Sequence, residues 1–505
     1  MKKIITITFL VLNIWCTISY SQSIEKSIQE LDSYFLQVMQ DWRIPSMAIG
    51  VVKGSEIVFL KGYGYRDIDS KIPVDENTLF PISGSIENNF LNASINVLQK
   101  QGKINPKEPL KNFLPNFRMY NEYVTENVTL HDFMTSKTGL PSHGFLFYGT
   151  DYSRSHIIDV LEYIEPVTEF RDHKYTMLSP YVIKYAVDNT SETSYENFVH
   201  ESLFEPLEMN SSCFGFEYEK KGNVALPYSF NNDTGTYELE MEEFKYILNL
   251  YNTKHDPGVF SSAKDLCHWI IMSLNEGKFR DKQIVSSDFI SQTQSLQVPS
   301  GQSNYSSGNI NLGMSYGSFI DYFHGHHLVS SYGHKGMFDS RLMLFPQDSI
   351  GIIVLTGSTN SGRWIIGEVI AEKLILGKHK DWNKIGLDNP RWVKEMEERP
   401  KPVRPSGLNK EDLPSLNLHA YTGKFVNNGY GEITIREENG TLKGKRSVTQ
   451  YELDHISKDQ FKIHVGDTFL NFKTMQFHVN ENGKVNKLSV DFESSLPPIE
   501  FTRVK

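Results

Sequence analysis

At 505 residues and 58.0 kDa the chain is too long for one small module, since a typical domain has roughly 150 residues. Hydrophobic residues at 39% and aromatics at 12% supply a sizeable core, which excludes a largely disordered chain. A formal net charge of −10 opposes the phosphate attraction behind sequence-independent nucleic-acid binding, and three cysteines are too few for a disulfide framework.

Residues 1–21 read as a secretory signal. Lys2 and Lys3 precede an apolar run from Ile4 to Ile18, and Ser19 and Ser21 offer small residues for cleavage before Gln22. The run is short of the ~20 residues of a membrane span. Trp15 is too bulky beside Cys16 for a lipid-attachment box. Cleavage leaves Cys213 and Cys267, and loss of the two lysines takes the charge to −12. The expectation is an exported, periplasmic or extracellular protein without a transmembrane anchor.

Beyond the signal, Ile28, Leu31, Phe35 and Met39 have helical spacing within 24–40. Met47–Val52 and Ile57–Leu60 flank Lys53-Gly54-Ser55 as a hairpin of buried strands. Ile86, Phe90, Ala93 and Val97 mark a helix over 86–101, ended by Gly102. Helical patterns and loops fill about 130–290. Strands return near 328–356, where Leu342–Phe345 and Ile350–Leu355 are separated by Pro346-Gln347-Asp348. A sheet assembled from distant segments, with helices between them, follows. Five prolines and a charged run over 390–414 suit a short helix and an extended linker. Gly431–Arg436, Gln460–Val465, Thr468–Phe472 and Val485–Phe492 then alternate as strands of a small barrel or sandwich.

Several segments resemble the serine β-lactamase and penicillin-binding-protein superfamily, in its class C-like branch. They are Leu79–Ile82 leading into the 86–101 helix, Thr129–Phe133 with Thr138-Gly139-Leu140-Pro141, Leu203–Met209, Gly258 with Ser261–Leu266, and Tyr332–Gly336. The likeness runs in consistent order over about 45–375, and 421–505 resembles an appended lipocalin-like β-domain. It implies an α/β fold in which an antiparallel sheet is flanked by helices beside a helical subdomain, plus a C-terminal all-β barrel-like domain. The expected divisions are a signal at 1–21, a hydrolase-like domain at 22–380, a linker at 381–414 and a barrel at 415–505.

The resemblance also implies acyl transfer through three motifs: Ser-x-x-Lys, Tyr-x-Asn and Lys/His-x-Gly. Counting back from Phe90 and Gly102 places the serine at Ser85 and the lysine position at Asn88. Counting forward from Phe80 gives Gly84 and Glu87. Neither register holds a lysine, and an asparagine amide has no titratable proton to exchange. The second motif falls on Tyr175, with Met177 in place of asparagine and Pro180 where another aromatic is usual. The third is intact as His334-Lys335-Gly336. Strand alternation is read as aiming His334 and Gly336 into the cleft and Lys335 away.

Catalysis on this reading uses Ser85 as nucleophile, Tyr175 as proton-transfer partner, the Ser85 and Met337 amides as oxyanion hole, and His334 to orient substrate. The plain alternative for Ser85 is a helix N-cap. Glu87 and Lys174 are sequence neighbours of the damaged motifs. His324-Gly325-His326-His327 reads as a solvated turn, without acidic partners at metal-ligand spacing. No cofactor or metal is implied. The expected partner is a small-molecule or peptide ligand: a β-lactam, a D-alanyl peptide or a simple ester. The leading function is a serine hydrolase with a Ser85 acyl-enzyme, and the alternative is an inactive pseudo-hydrolase that binds through the same cleft or the barrel. A third is an adaptor whose β-domain docks a partner.

Overall fold

A computed structural model describes residues 24–142, 144–242, 244–245, 258–304, 309–397, 412–465 and 473–504. The signal segment, the expected Thr468–Phe472 strand and residues 398–411 of the expected linker lie outside these, while Trp382–Leu387 and Pro390–Glu397 of that linker are helical. The described residues within Met1–Lys103, Ser194–Phe244 and Gly258–Arg399 form one compact unit. Those within Ile104–Thr193, Lys245–Pro257 and Pro400–Lys505 form a second.

The first unit begins with helix α1 (Asp32–Asp41), which buries Phe35, Val38 and Met39. Strands β1 (Ser46–Lys53), β2 (Glu56–Asp67) and β3 (Ile72–Pro73) follow, then α2 (Gly84–Lys100) and α3 (Ala263–Leu274). Six more strands complete the sheet: β4 (Val298–Asn304), β5 (Asn309–Met314), β6 (Phe319–Phe323), β7 (His326–Lys335), β8 (Phe338–Phe345) and β9 (Ile350–Thr356). Helix α4 (Gly362–Leu376) comes after them. The strand order is β4-β5-β6-β7-β8-β9-β1-β2-β3, antiparallel throughout. The sheet's first strand in chain order therefore pairs with its last, as expected for a sheet built from distant segments.

Both faces of the central strands are covered, which is why β1, β8 and β9 read as continuous apolar runs. One face packs Ile49, Val51, Met343, Ile352 and Val354 against α1 and α4. On the other, Cys267 and Ile270 of α3 lie over Gly50 and Gly351. Cys213 and Cys267 are both buried and unpaired.

In the second unit, short helices such as Leu130–Met134, Gly144–Phe147 and Ser179–Ser191 accompany a closed barrel. Its strands are β10 (Gly423–Asn427), β11 (Gly431–Glu438), β12 (Thr441–Arg446), β13 (Thr449–Ser457), β14 (Gln460–His464), β15 (Thr474–Val479), β16 (Val485–Val490) and β17 (Ile499–Arg503). Buried aromatic rings cluster in the barrel. Phe477 lies 5.5 Å from Phe461, 5.1 Å from Tyr421 and 6.0 Å from Phe425, centroid to centroid. Residues 104–193 share this compact unit with the barrel.

Candidate functional site

Ser85 is the second residue of α2 and is buried. Its place is set by the edge of β7. Pairing between β6 and β7 stops at Phe319–Ser330, so the β7 backbone from 331 onward lacks a strand on that side. The start of α2 fills the gap. Ser85 Oγ accepts the Tyr332 N–H at 2.7 Å and donates to the Tyr332 carbonyl at 2.8 Å. Two residues earlier, Ser83 Oγ donates to the His334 carbonyl at 2.8 Å. Ser-x-Ser has the period of a strand, and the two hydroxyls stand in for a missing neighbour. The single proton of Ser85 is thus committed to a backbone carbonyl. The N-cap position belongs to Ser83 rather than Ser85, and neither serine caps the helix with its side chain.

Asn88, one turn on, lies under the β5–β6 turn. A Cβ added to Gly317 would come within 2.8 Å of the Asn88 Cβ. Beside it Asn89 donates to Ser331 Oγ at 3.3 Å and accepts from Ser318 Oγ at 3.0 Å, tying α2 to β6 and β7.

That contact fixes the facing of the third motif and corrects the sequence reading. Ser331 faces α2, so Gly333 and Lys335 share its side. Tyr332 and His334 face the other way, where the Tyr332 ring meets Trp364 of α4 at 5.8 Å. Lys335, expected to point away, is buried on the α2 side. Gly336 and Met337 form the two-residue turn between β7 and β8. Gly336 has φ +61°, as the first position of a II′ turn requires, which gives it a backbone role of its own.

His334 and Asp339 are cross-strand partners in that hairpin. His334 Nδ1 lies 2.9 Å from Asp339 Oδ1, and the other Asp339 oxygen pairs with Arg363 of α4. Asp339 is 1% exposed at its side chain and His334 60%. A buried carboxylate with a guanidinium behind it therefore orients an exposed imidazole. Burial holds the Arg363 guanidinium down at about 10. The sequence reading missed Asp339 and Arg363. Asp339 was findable: a two-residue turn at 336–337 pairs 335 with 338 and 334 with 339.

Tyr175 and Met177 belong to the second unit. Tyr175 is 54% exposed, and desolvation of its hydroxyl raises the phenol above its ordinary value. Met177 N donates to the Ser142 carbonyl at 3.0 Å, and the Tyr148 hydroxyl meets its sulfur at 3.6 Å. The histidine-rich turn is less solvated than expected. His324 lies 3.4 Å from Glu372 and His326 2.9 Å from Asp348, carboxylates the fold brings in from elsewhere. They remain two separate pairs, and among the described residues no cluster of three metal-ligating side chains occurs.

A sheet with helices on both faces, a serine at a helix start and a His-x-Gly strand end define a β-lactamase-like α/β fold. A family model described as Beta-lactamase matches residues 31–365, and the chain belongs to that family. A second, described as Domain of unknown function (DUF3471), matches residues 409–503, the barrel. Protein flp of Staphylococcus aureus (strain MRSA252) is 25% identical over 336 residues, 65% of this chain and 62% of its own length. The chain thus spans less than two thirds of that relative. Unguisins hydrolase ungD' of Aspergillus campestris is 24% identical over 507 residues, covering 94% of this chain and 91% of its own. The fold matches an octameric penicillin-binding protein homologue from Pyrococcus abyssi with TM-score 0.57 and 22% identity, over 94% of this chain and all of the other. FmtA from Staphylococcus aureus matches with TM-score 0.53 and 16% identity, over 71% and 90%.

Proposed function

We propose that this chain is an exported member of the family that binds a small amide, ester or D-amino-acyl peptide end without forming the serine–lysine acyl-enzyme. One observation carries the reading. The Ser85 hydroxyl is held by both backbone groups of Tyr332, while the position that supplies the family's base is Asn88. Each unit offers its own ligand contact: the imidazole of His334, exposed and braced by Asp339, in the first, and the phenol of Tyr175 in the second.

A hydrolytic reading draws support from the same imidazole and from a relative named as a hydrolase. It requires Ser85 to leave Tyr332. Giving up two hydrogen bonds costs about 2 kcal/mol, a factor of about thirty in the population of an attack-ready rotamer. Asn88 then offers nothing to take the proton. Binding without turnover is favoured. Calorimetric titration of the purified full chain with a D-alanyl-D-alanine peptide and with a penicillin tests this. Saturable binding with intact ligand recovered supports it, and steady release of cleaved product would overturn it.

A further inference from the structure

In the second unit the hairpin joining β12 and β13 grips the chain that follows the Gly144–Phe147 helix. Arg446, 4% exposed, donates from Nε to the Tyr430 carbonyl at 3.1 Å and from Nη2 to the Leu146 carbonyl at 3.3 Å. Thr449 Oγ1 donates to the Gly149 carbonyl at 2.7 Å, and the Asp151 N–H donates to Ser447 Oγ at 3.0 Å. Gly431 of β11 admits the Tyr152 hydroxyl so closely that a Cβ there would lie 2.0 Å from it. These contacts fix residues 146–152 from carbonyl to ring. Inside that segment Tyr148 reaches Met177, whose own N–H is held by Ser142. Met177 lies two residues beyond Tyr175.

We propose that Arg446 is a positioning residue, through which the barrel sets segment 144–152, then Met177, and so the loop that carries Tyr175. The inference rests on the binding function above only in taking Tyr175 as a ligand contact. A buried guanidinium suits this role. It supplies donors in a rigid fork to carbonyls of two segments far apart in sequence, and its removal takes both bonds away.

Hydrogen–deuterium exchange on the full chain tests this. Arg446→Met raises exchange by about tenfold in 146–152 and in 174–178 while β1 and β9 keep wild-type rates. Affinity for a fluorescent penicillin, read by anisotropy, falls in parallel. A rise confined to 146–152, with 174–178 unchanged, overturns the proposal. Should Arg446→Met also open the barrel strands, Thr449→Val decides. It removes only the bond to Gly149 and produces the same two-segment pattern at smaller amplitude, and its failure to do so equally overturns the proposal. If the two-segment pattern appears but the wild-type chain binds no penicillin, the positioning role stands and the binding function falls.

Discussion

Replacing Ser85 by alanine separates a structural serine from a working nucleophile. The substitution removes a buried hydroxyl that bonds the Tyr332 N–H at 2.7 Å and the Tyr332 carbonyl at 2.8 Å. Each bond contributes about 1 kcal/mol net, and stranding the two backbone groups at a strand edge adds about 1 kcal/mol. Alanine's better helix propensity returns about 0.5 kcal/mol. The loss is therefore about 2–3 kcal/mol. For a unit this large that lowers Tm by about 4–8 °C. Differential scanning calorimetry reads the shift, with Ser83→Ala as comparison. Ser83 makes one bond, to the His334 carbonyl, so its loss is about half as large. Nucleophiles held for chemistry behave oppositely, since a strained active site gains stability when disarmed. A Ser85→Ala protein as stable as the wild type, or more so, would refute the edge-filling role.

Asn88→Lys restores the family's residue type at that position but not its chemistry. With Gly317 packed over Asn88, the expected result is lower thermal stability and no covalent labelling by a fluorescent penicillin on denaturing gels. Removing Asp339 leaves the buried Arg363 guanidinium without its carboxylate and costs about 3–5 kcal/mol, removing Arg363 leaves Asp339 with His334 alone, and the double replacement by leucines costs clearly less than the two single losses together. A double-mutant cycle in chemical denaturation checks this, and additivity would contradict it. Burial pushes the Cys213 thiol up to about 12 and Cys267 upward as well. A raised pKa keeps both protonated at pH 8, so iodoacetamide labels neither in the native protein and both after unfolding. Mass spectrometry counts the adducts.

Much of the fold was legible because its signals are local. Apolar runs flanked by turn residues marked β1, β8 and β9, and short alternating stretches marked the barrel. Family-like segments turned out to hold joints. Thr129 and Asp132 cap each other at a helix start, and Asp265 accepts from Ser211 and Ser212 to tie α3 to a distant loop. The site was less legible, because facing depends on contacts outside the strand. His334-Lys335-Gly336 alternates in either register by sequence. Only Asn89 meeting Ser331 fixes which side chains face α2. The hold of Arg446 on Leu146 spans 300 residues and leaves no mark in either segment.

The central claim is that Ser85 serves the backbone of β7 and not an acyl-enzyme. Intact-mass spectrometry of the wild-type chain after incubation with a fluorophosphonate and with a penicillin tests it most directly. The expected result is an unmodified mass under both reagents, at concentrations where penicillin binding is saturated. A single adduct on the wild-type chain that disappears in Ser85→Ala would contradict it.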